Sequence, residues 1–306
     1  CLRRVSCLAA VDSNGIGISH SEFKKRLEAS ILNVGIVINH AGEGMEQKFA
    51  NAAAQGFRHC QLISWEQALW TDVSAEEINR LSAAYGVKIT AFWCGWVGPK
   101  RWNFTEGPET LGIVPVAYRA ARVQNLLDGA AFARKLGVKD VVTHMGFIPE
   151  NMSDANYPGV VAAVKCIAVE LKKYEQNLLF ETGQETPIVL LRLFEHVGTG
   201  NLYVNLDPAN LILYGKANPV DALDVFGDYV RGVHAKDGFY PTNGSELGRE
   251  VKVGDGKVNF PALLKGLKAH GFDDSLTIER EISGEQQAID IHETHAYLNR
   301  LIAELK

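Results

Sequence analysis

Short apolar runs rich in β-branched residues recur along the chain. Each is followed by a longer stretch whose apolar positions repeat at helical spacing. ILNVGIVIN (31–39), FRHCQLISW (57–65), VKITAFWCGW (87–96) and VKDVVTHMGF (138–147) predict four strands. NLLFETG (177–183), NLYVNLD (201–207), YVRGVHAKD (229–237) and SLTIERE (275–281) predict four more. The intervening segments 42–56, 74–86, 116–137, 158–176, 186–198, 219–227 and 259–271 predict helices, and 285–306 predicts a closing helix. Gly56 and Gly86 mark helix stops, Ser74 is the expected N-cap of the second helix, and Pro187 fits a first turn. Residues 97–113, with Gly, Pro and polar groups, predict a long loop.

One regular alternation of eight strand–helix units implies parallel strands, because each crossover is long enough to hold a helix. Several strands are apolar without alternation, as expected when both faces are buried. The predicted fold is α/β, a (β/α)8 TIM barrel, in a single domain over residues 29–306. A doubly wound open sheet would carry a glycine-rich phosphate turn after its first strand, and AGEG (41–44) lacks that spacing. Residues 1–28 mix charge, Ser and Gly without periodicity and read as a poorly ordered N-terminal extension. CLRRVSCLAA is too short and too basic for the apolar core of a signal peptide, and an extension is a simpler reading than a lipid-bearing Cys1.

Composition narrows the function classes. The chain has 306 residues, 46% hydrophobic and 22% charged, with a net charge of −5. That balance, with a pI near 6.0, argues against nucleic acid or a membrane surface as partner. No apolar run approaches the roughly 18 residues of a membrane span. Five cysteines, at 1, 7, 60, 94 and 166, are odd in number and irregular in spacing. Cys60 and Cys94 fall inside predicted strands, so they read as core thiols of a reducing compartment, the cytoplasm.

The chemistry gathers at strand ends, where barrel enzymes place it. The fifth to eighth strands close on Glu181, Asp207, His234 and Glu279. Any one of these is unremarkable as a polar terminus. Four on successive strands converge on one side of the barrel mouth. Three carboxylates side by side repel unless a cation offsets them. Three oxygen donors and one imidazole suit a single divalent ion, Mn2+ first, with Mg2+, Co2+ or Zn2+ as alternatives. His144, Lys236 and Asp237 also stand at strand ends and are expected to contact substrate, and Gly238 permits the turn after them. Glu281 shares strand parity with Glu279 and is the alternative ligand. Gln184 and Glu185 are expected to orient ligands. Trp93 and Trp96 read as buried aromatics, although a sugar face is another partner for them. His40 and Gln61 are weaker pocket candidates, while His20, His59, His196, His270, His292, His295 and the run FKKR (23–26) read as incidental.

FETGQETP, VNLDPANLILYG, VHAKDG, VGDGKVNF and LTIERE resemble the sugar isomerase/epimerase branch of the xylose isomerase-like TIM barrels, over roughly residues 30–304. The resemblance implies one metal bound by Glu181, Asp207, His234 and Glu279. It implies Glu181 and Glu279 as the acid–base pair that moves a proton next to the carbonyl of a ketose, through an enediolate. It also implies a carbohydrate substrate and, by family analogy, a homo-oligomer. Ketose 3-epimerases carry a His three residues after the strand-six Asp and an Arg soon after the strand-seven His. Here those places hold Asn210 and Lys236 or Asp237, so Asn210 joins the substrate-binding candidates. A trinuclear-zinc endonuclease of the same superfamily is similar at GQET, but REVKVGD lacks its Asp-x-His pair. Two other readings stand beside the isomerase: a lyase or dehydratase that expels a β-leaving group from an oxidised sugar or glycoside, and a sugar-binding protein without chemistry.

Overall fold

The computed structural model describes residues 32–41 and 43–305; the extension over 1–28 lies outside the described residues. Eight parallel strands close into a barrel: β1 (Asn33–Asn39), β2 (His59–Ser64), β3 (Lys88–Cys94), β4 (Asp140–Thr143), β5 (Asn177–Glu181), β6 (Leu202–Leu206), β7 (Val230–Ala235) and a last strand, Ser275–Ile278. Two further short strands, β8 (Asp237–Phe239) and β9 (Arg249–Val251), pair antiparallel above β7, so the last barrel strand is β10. β10 pairs with both β1 and β7, which completes the ring. The predicted (β/α)8 barrel is the observed fold. All predicted strands but the first run one to four residues past the observed ends, because the polar ends leave the ladder.

The barrel sorts its residues by parity. Phe92, Val141, Leu178, Phe180, Leu206, Val233 and Leu276 lie in the large core between strands and helices. Ala91, Trp93, Val142 and Leu179 form a second cluster on the opposite face, inside the barrel. Successive side chains on a strand alternate faces. Two residues beyond Leu179 on the same face is Glu181. The same step leads from Asn205 to Asp207, from Gly232 to His234 and from Thr277 to Glu279. Gly232 is glycine for a steric reason: a Cβ there would come within 2.2 Å of Asn205 Oδ1.

Two local expectations are corrected. The second helix starts at Asp72, and its N-cap is Thr71, not Ser74. Thr71 is extended, and its side chain accepts a hydrogen bond from the Ser74 N–H at 3.1 Å. Residues 97–113 contain a short helix, Gly107–Thr110. This segment is clamped by Arg122, which is fully buried and donates to the carbonyls of Val97, Pro99, Thr110 and Gly112. Gly112 has φ +64°, and a Cβ there would strike the Met145 backbone at 2.0 Å, so the segment lies directly on the end of β4. Among the described residues, Cys60 and Cys94 are buried free thiols, and burial pushes the Cys60 thiol up to about 12. No described helix is long and apolar enough to cross a membrane.

Candidate metal centre and active-site cavity

Glu181 closes β5. Asp207 follows β6, His234 is the penultimate residue of β7, and Glu279 follows β10. One ligand atom from each lies within 4.8 Å of the other three. Asp207 is divided between two tasks. Its Oδ1 accepts from the Asn210 N–H at 2.8 Å, capping the helix Pro208–Leu213, while its Oδ2 is buried without a hydrogen-bond partner. His234 is similar. Its Nε2 lies 2.8 Å from Gln61 Oε1, and its Nδ1 is buried without a hydrogen-bond partner, 3.3 Å from both Glu181 and Glu279. Neither atom has a hydrogen-bond partner, although Asp207 Oδ2 meets the Lys236 ammonium at 3.5 Å; three carboxylates and an imidazole gathered this closely and buried fit a divalent cation.

The electrostatics follow from this crowding. Burial alone would raise the Glu181 carboxyl, but the His144 and His234 imidazoles hold it well below the ordinary range. Burial likewise opposes ionisation of Glu279, yet Lys236 and His234 hold it down to about 2. Asp207 is pushed up to about 7, by burial first and by the charges of Glu279 and Glu181 against the pull of Lys236. Burial works against protonation of His234, and the facing Glu181 and Glu279 overcome it, so its imidazole titrates well above the usual value.

Above the four candidate ligands lies a cavity of about 460 Å³. Glu181 and Glu279 line it; Asp207 and His234 sit behind them, fully buried. Its floor also includes His144, Gln184 and Asn210. His144 Nε2 is 3.3 Å from Glu181 Oε1, and Asn210 Nδ2 donates to the same oxygen at 3.3 Å. Trp93 Nε1 donates to Glu181 Oε2. Glu181 is therefore held on both oxygens.

Several predicted residues lie elsewhere. Asp237 does not reach the cavity. Its carboxylate is buried and accepts from the N–H groups of Gly238, Gly254, Gly256 and Val258, so it ties the 237–258 loop. Lys236 is enclosed as well. Its Nζ lies 3.0 Å from Glu281, 3.1 Å from Glu279 and 3.5 Å from Asp207, so it is a counter-ion to these carboxylates. Glu281 lies outside the ligand cluster but lines the cavity, with a side chain 59% exposed. His40 does not line this cavity, and its Nε2 lies 3.0 Å from Ser74 Oγ. Glu185 is buried close behind the floor, and burial pushes its carboxyl up to about 7. Gln61, a weaker pocket candidate from the sequence, meets His234 behind the floor; the bond from the Trp93 indole N–H to Glu181 was not anticipated.

A family model described as a xylose isomerase-like TIM barrel matches residues 49–301. The chain belongs to this family. A xylose isomerase domain protein from Planctomyces limnophilus is 31% identical, covering 90% of this chain and 99% of that one, with a TM-score of 0.84. An uncharacterized protein of Methanocaldococcus jannaschii is 27% identical over 176 residues, which take in 53% of this chain and 58% of that protein. L-ribulose 3-epimerase matches with a TM-score of 0.66 at 19% identity, covering 89% of this chain and 95% of that one. Other barrels of like fold include a 3-keto-D-glucoside 4-epimerase from E. coli, a probable dehydratase and a magnesium complex from Mycobacterium smegmatis. Below 25% identity these likenesses show the fold alone.

Proposed function

We propose that this protein is a metal-dependent sugar isomerase or epimerase. The observation that supports this reading best is the division of the ligand cluster. Two carboxylates, Glu181 and Glu279, face the cavity, while Asp207 and His234 are sealed behind it. A divalent cation held by these four groups supplies Lewis-acid stabilisation of a developing oxyanion. The remaining work falls to the chain's own side chains. One glutamate removes the proton from the carbon next to the substrate carbonyl, leaving an enediolate. The other takes the proton of that carbon's hydroxyl and then delivers it to the same or the adjacent carbon, while the first returns its proton to oxygen. Return to the same carbon from the opposite face inverts it; delivery to the neighbouring carbon moves the carbonyl. Depression of both glutamate pKa values keeps each carboxylate free to accept a proton. Trp93, Asn210 and His144 keep Glu181 in place through the transfer.

The test is incubation of the Mn2+-loaded protein with a panel of ketoses in deuterated water. Deuterium at a carbon next to the carbonyl, lost on exhaustive chelation and restored by Mn2+, is the expected result. Exchange that survives chelation, or none with any sugar, would overturn the proposal. Release of water or an aglycone in place of a stereoisomer would move the protein to the lyases of the same fold.

A further inference from the structure

The cavity has a second part that proton transfer does not use. Its lining also includes Trp65, Trp102 and Lys100, with Leu213 and Leu247. The indoles form one surface. Trp65 lies 4.8 Å from Trp93 and 5.1 Å from Trp96, ring centre to ring centre. Trp96 lies 6.2 Å from Trp102, and Trp102 lies 5.0 Å from the His144 ring. This wall runs from the indole that hydrogen-bonds Glu181 to the rim, where Trp102 is 39% exposed. Lys100 stands at the rim with its Nζ 4.5 Å from the Trp65 ring centre, and it makes no ion pair among the described residues. Arg122 fixes the segment that bears Lys100 and Trp102, so the wall is set before any ligand arrives.

A single sugar on the floor leaves this wall against water. An indole offers a flat, electron-rich face, and the matching ligand surface is a ring with an apolar or C–H face. Lys100 adds a donor for oxygen at the edge of that ring. We propose an outer subsite, formed by Trp65, Trp102 and Lys100, for a second ring joined to the reacting sugar. The substrate class is then a glycoside of two rings, the outer one a pyranose or a planar aglycone. This rests on the reading of the floor as the centre that holds the reacting sugar.

Calorimetric titration of the Mn2+-loaded full chain with methyl β-D-glucopyranoside, phenyl β-D-glucopyranoside and cellobiose tests the subsite. The three share one sugar and differ in the outer ring. At least one two-ring compound is expected to bind about tenfold or more tighter than the methyl glycoside, the scale of one good stacking contact. In Trp102→Ala the ratio should fall towards one; Trp102→Phe should keep most of it. Preference for cellobiose identifies a sugar as the outer ring, and preference for the phenyl compound a planar aglycone. Equal affinities, no binding of any of the three, or a ratio unchanged in Trp102→Ala would overturn the inference. If the two-ring preference holds while deuterium exchange fails with every sugar, the reaction assignment falls and the subsite stands. Exchange with simple ketoses and no two-ring preference gives the reverse.

Discussion

Gln61 Oε1 accepts from His234 Nε2 at 2.8 Å, while Gln61 Nε2 donates to Asn205 Oδ1 at 2.9 Å. The amide is thereby oriented across the inside of the barrel, and it decides which imidazole nitrogen keeps its hydrogen. Nε2 carries the proton, and Nδ1 is left for the ligand cluster. Replacing Gln61 by Leu removes the acceptor and frees the ring. Mn2+ affinity should fall 10–100-fold, as is usual when a group behind a metal ligand is lost. Competition with a fluorescent chelator measures this. Undiminished affinity would mean that His234 does not bind through Nδ1.

The Gln61–His234 pair shows where sequence reading stops. The four strand ends were legible because apolar runs ended in charge at Glu181, Asp207, His234 and Glu279, and a closed barrel makes neighbours of consecutive strands. Gln61 lies in the middle of an apolar strand, and only closure of the ring brings β2 across from β7. Lys236 and Asp237 are adjacent in sequence and both buried, yet one is ringed by carboxylates and the other by backbone amides. Nothing in VHAKDG separates the two. The difference comes from the 238–258 loop, which returns Gly254, Gly256 and Val258 to Asp237. Thr71 displaced Ser74 as helix cap because extended backbone before Asp72 let the helix begin a turn earlier.

Asp237→Ala should separate stability from metal binding. Four N–H groups lose their charged acceptor, and Gly254 and Gly256 lose what holds them. A single hydrogen bond to a charged group contributes about 1.5–3 kcal/mol. A loss of about 3 kcal/mol and a Tm lower by about 6–12 °C are expected. Mn2+ stoichiometry, measured by elemental analysis, should stay the same as in the wild type. A variant with unchanged Tm, or one that folds but no longer takes up metal, would contradict the assignment of Asp237 to the loop.

Metal uptake should depend steeply on pH. In the metal-free protein His234 titrates well above its usual value, because Glu181 and Glu279 overcome the effect of burial. Asp207 is pushed up to about 7, chiefly by burial. A raised histidine stabilises the fold below its unfolded pKa, and that contribution is lost as pH rises through the folded value. A raised aspartate keeps its proton in the fold when the unfolded chain has released it, so stability also falls between the unfolded value and about 7. Both groups must shed protons to bind a cation. Mn2+ affinity should therefore rise with pH, up to about tenfold per unit for each proton displaced. The gap in Tm between Mn2+-loaded and metal-free protein should widen from pH 5.5 to 8. A gap that stays constant would show that neither group gives up a proton to the metal.

Lys236 decides how the acidic centre survives without its cation. The ammonium is 2% exposed and lies within 3.5 Å of Glu281, Glu279 and Asp207. Its pKa is well above the ordinary lysine value, since those carboxylates outweigh the cost of burial. Removing one partner from a buried charge group leaves the others uncompensated, at a cost of about 3–5 kcal/mol. Lys236→Met keeps the length of the side chain and deletes the charge, so its metal-free form should melt well below the wild type. A bound divalent cation restores positive charge to Glu279 and Asp207. Mn2+ should then raise the Tm of Lys236→Met by more than it raises that of the wild type. Thermal denaturation of both proteins, each with chelator and with Mn2+, gives the four values needed. An equal Mn2+ increment in the two proteins would place Lys236 outside the charge balance of the metal centre and leave its ion pairs without influence on the site.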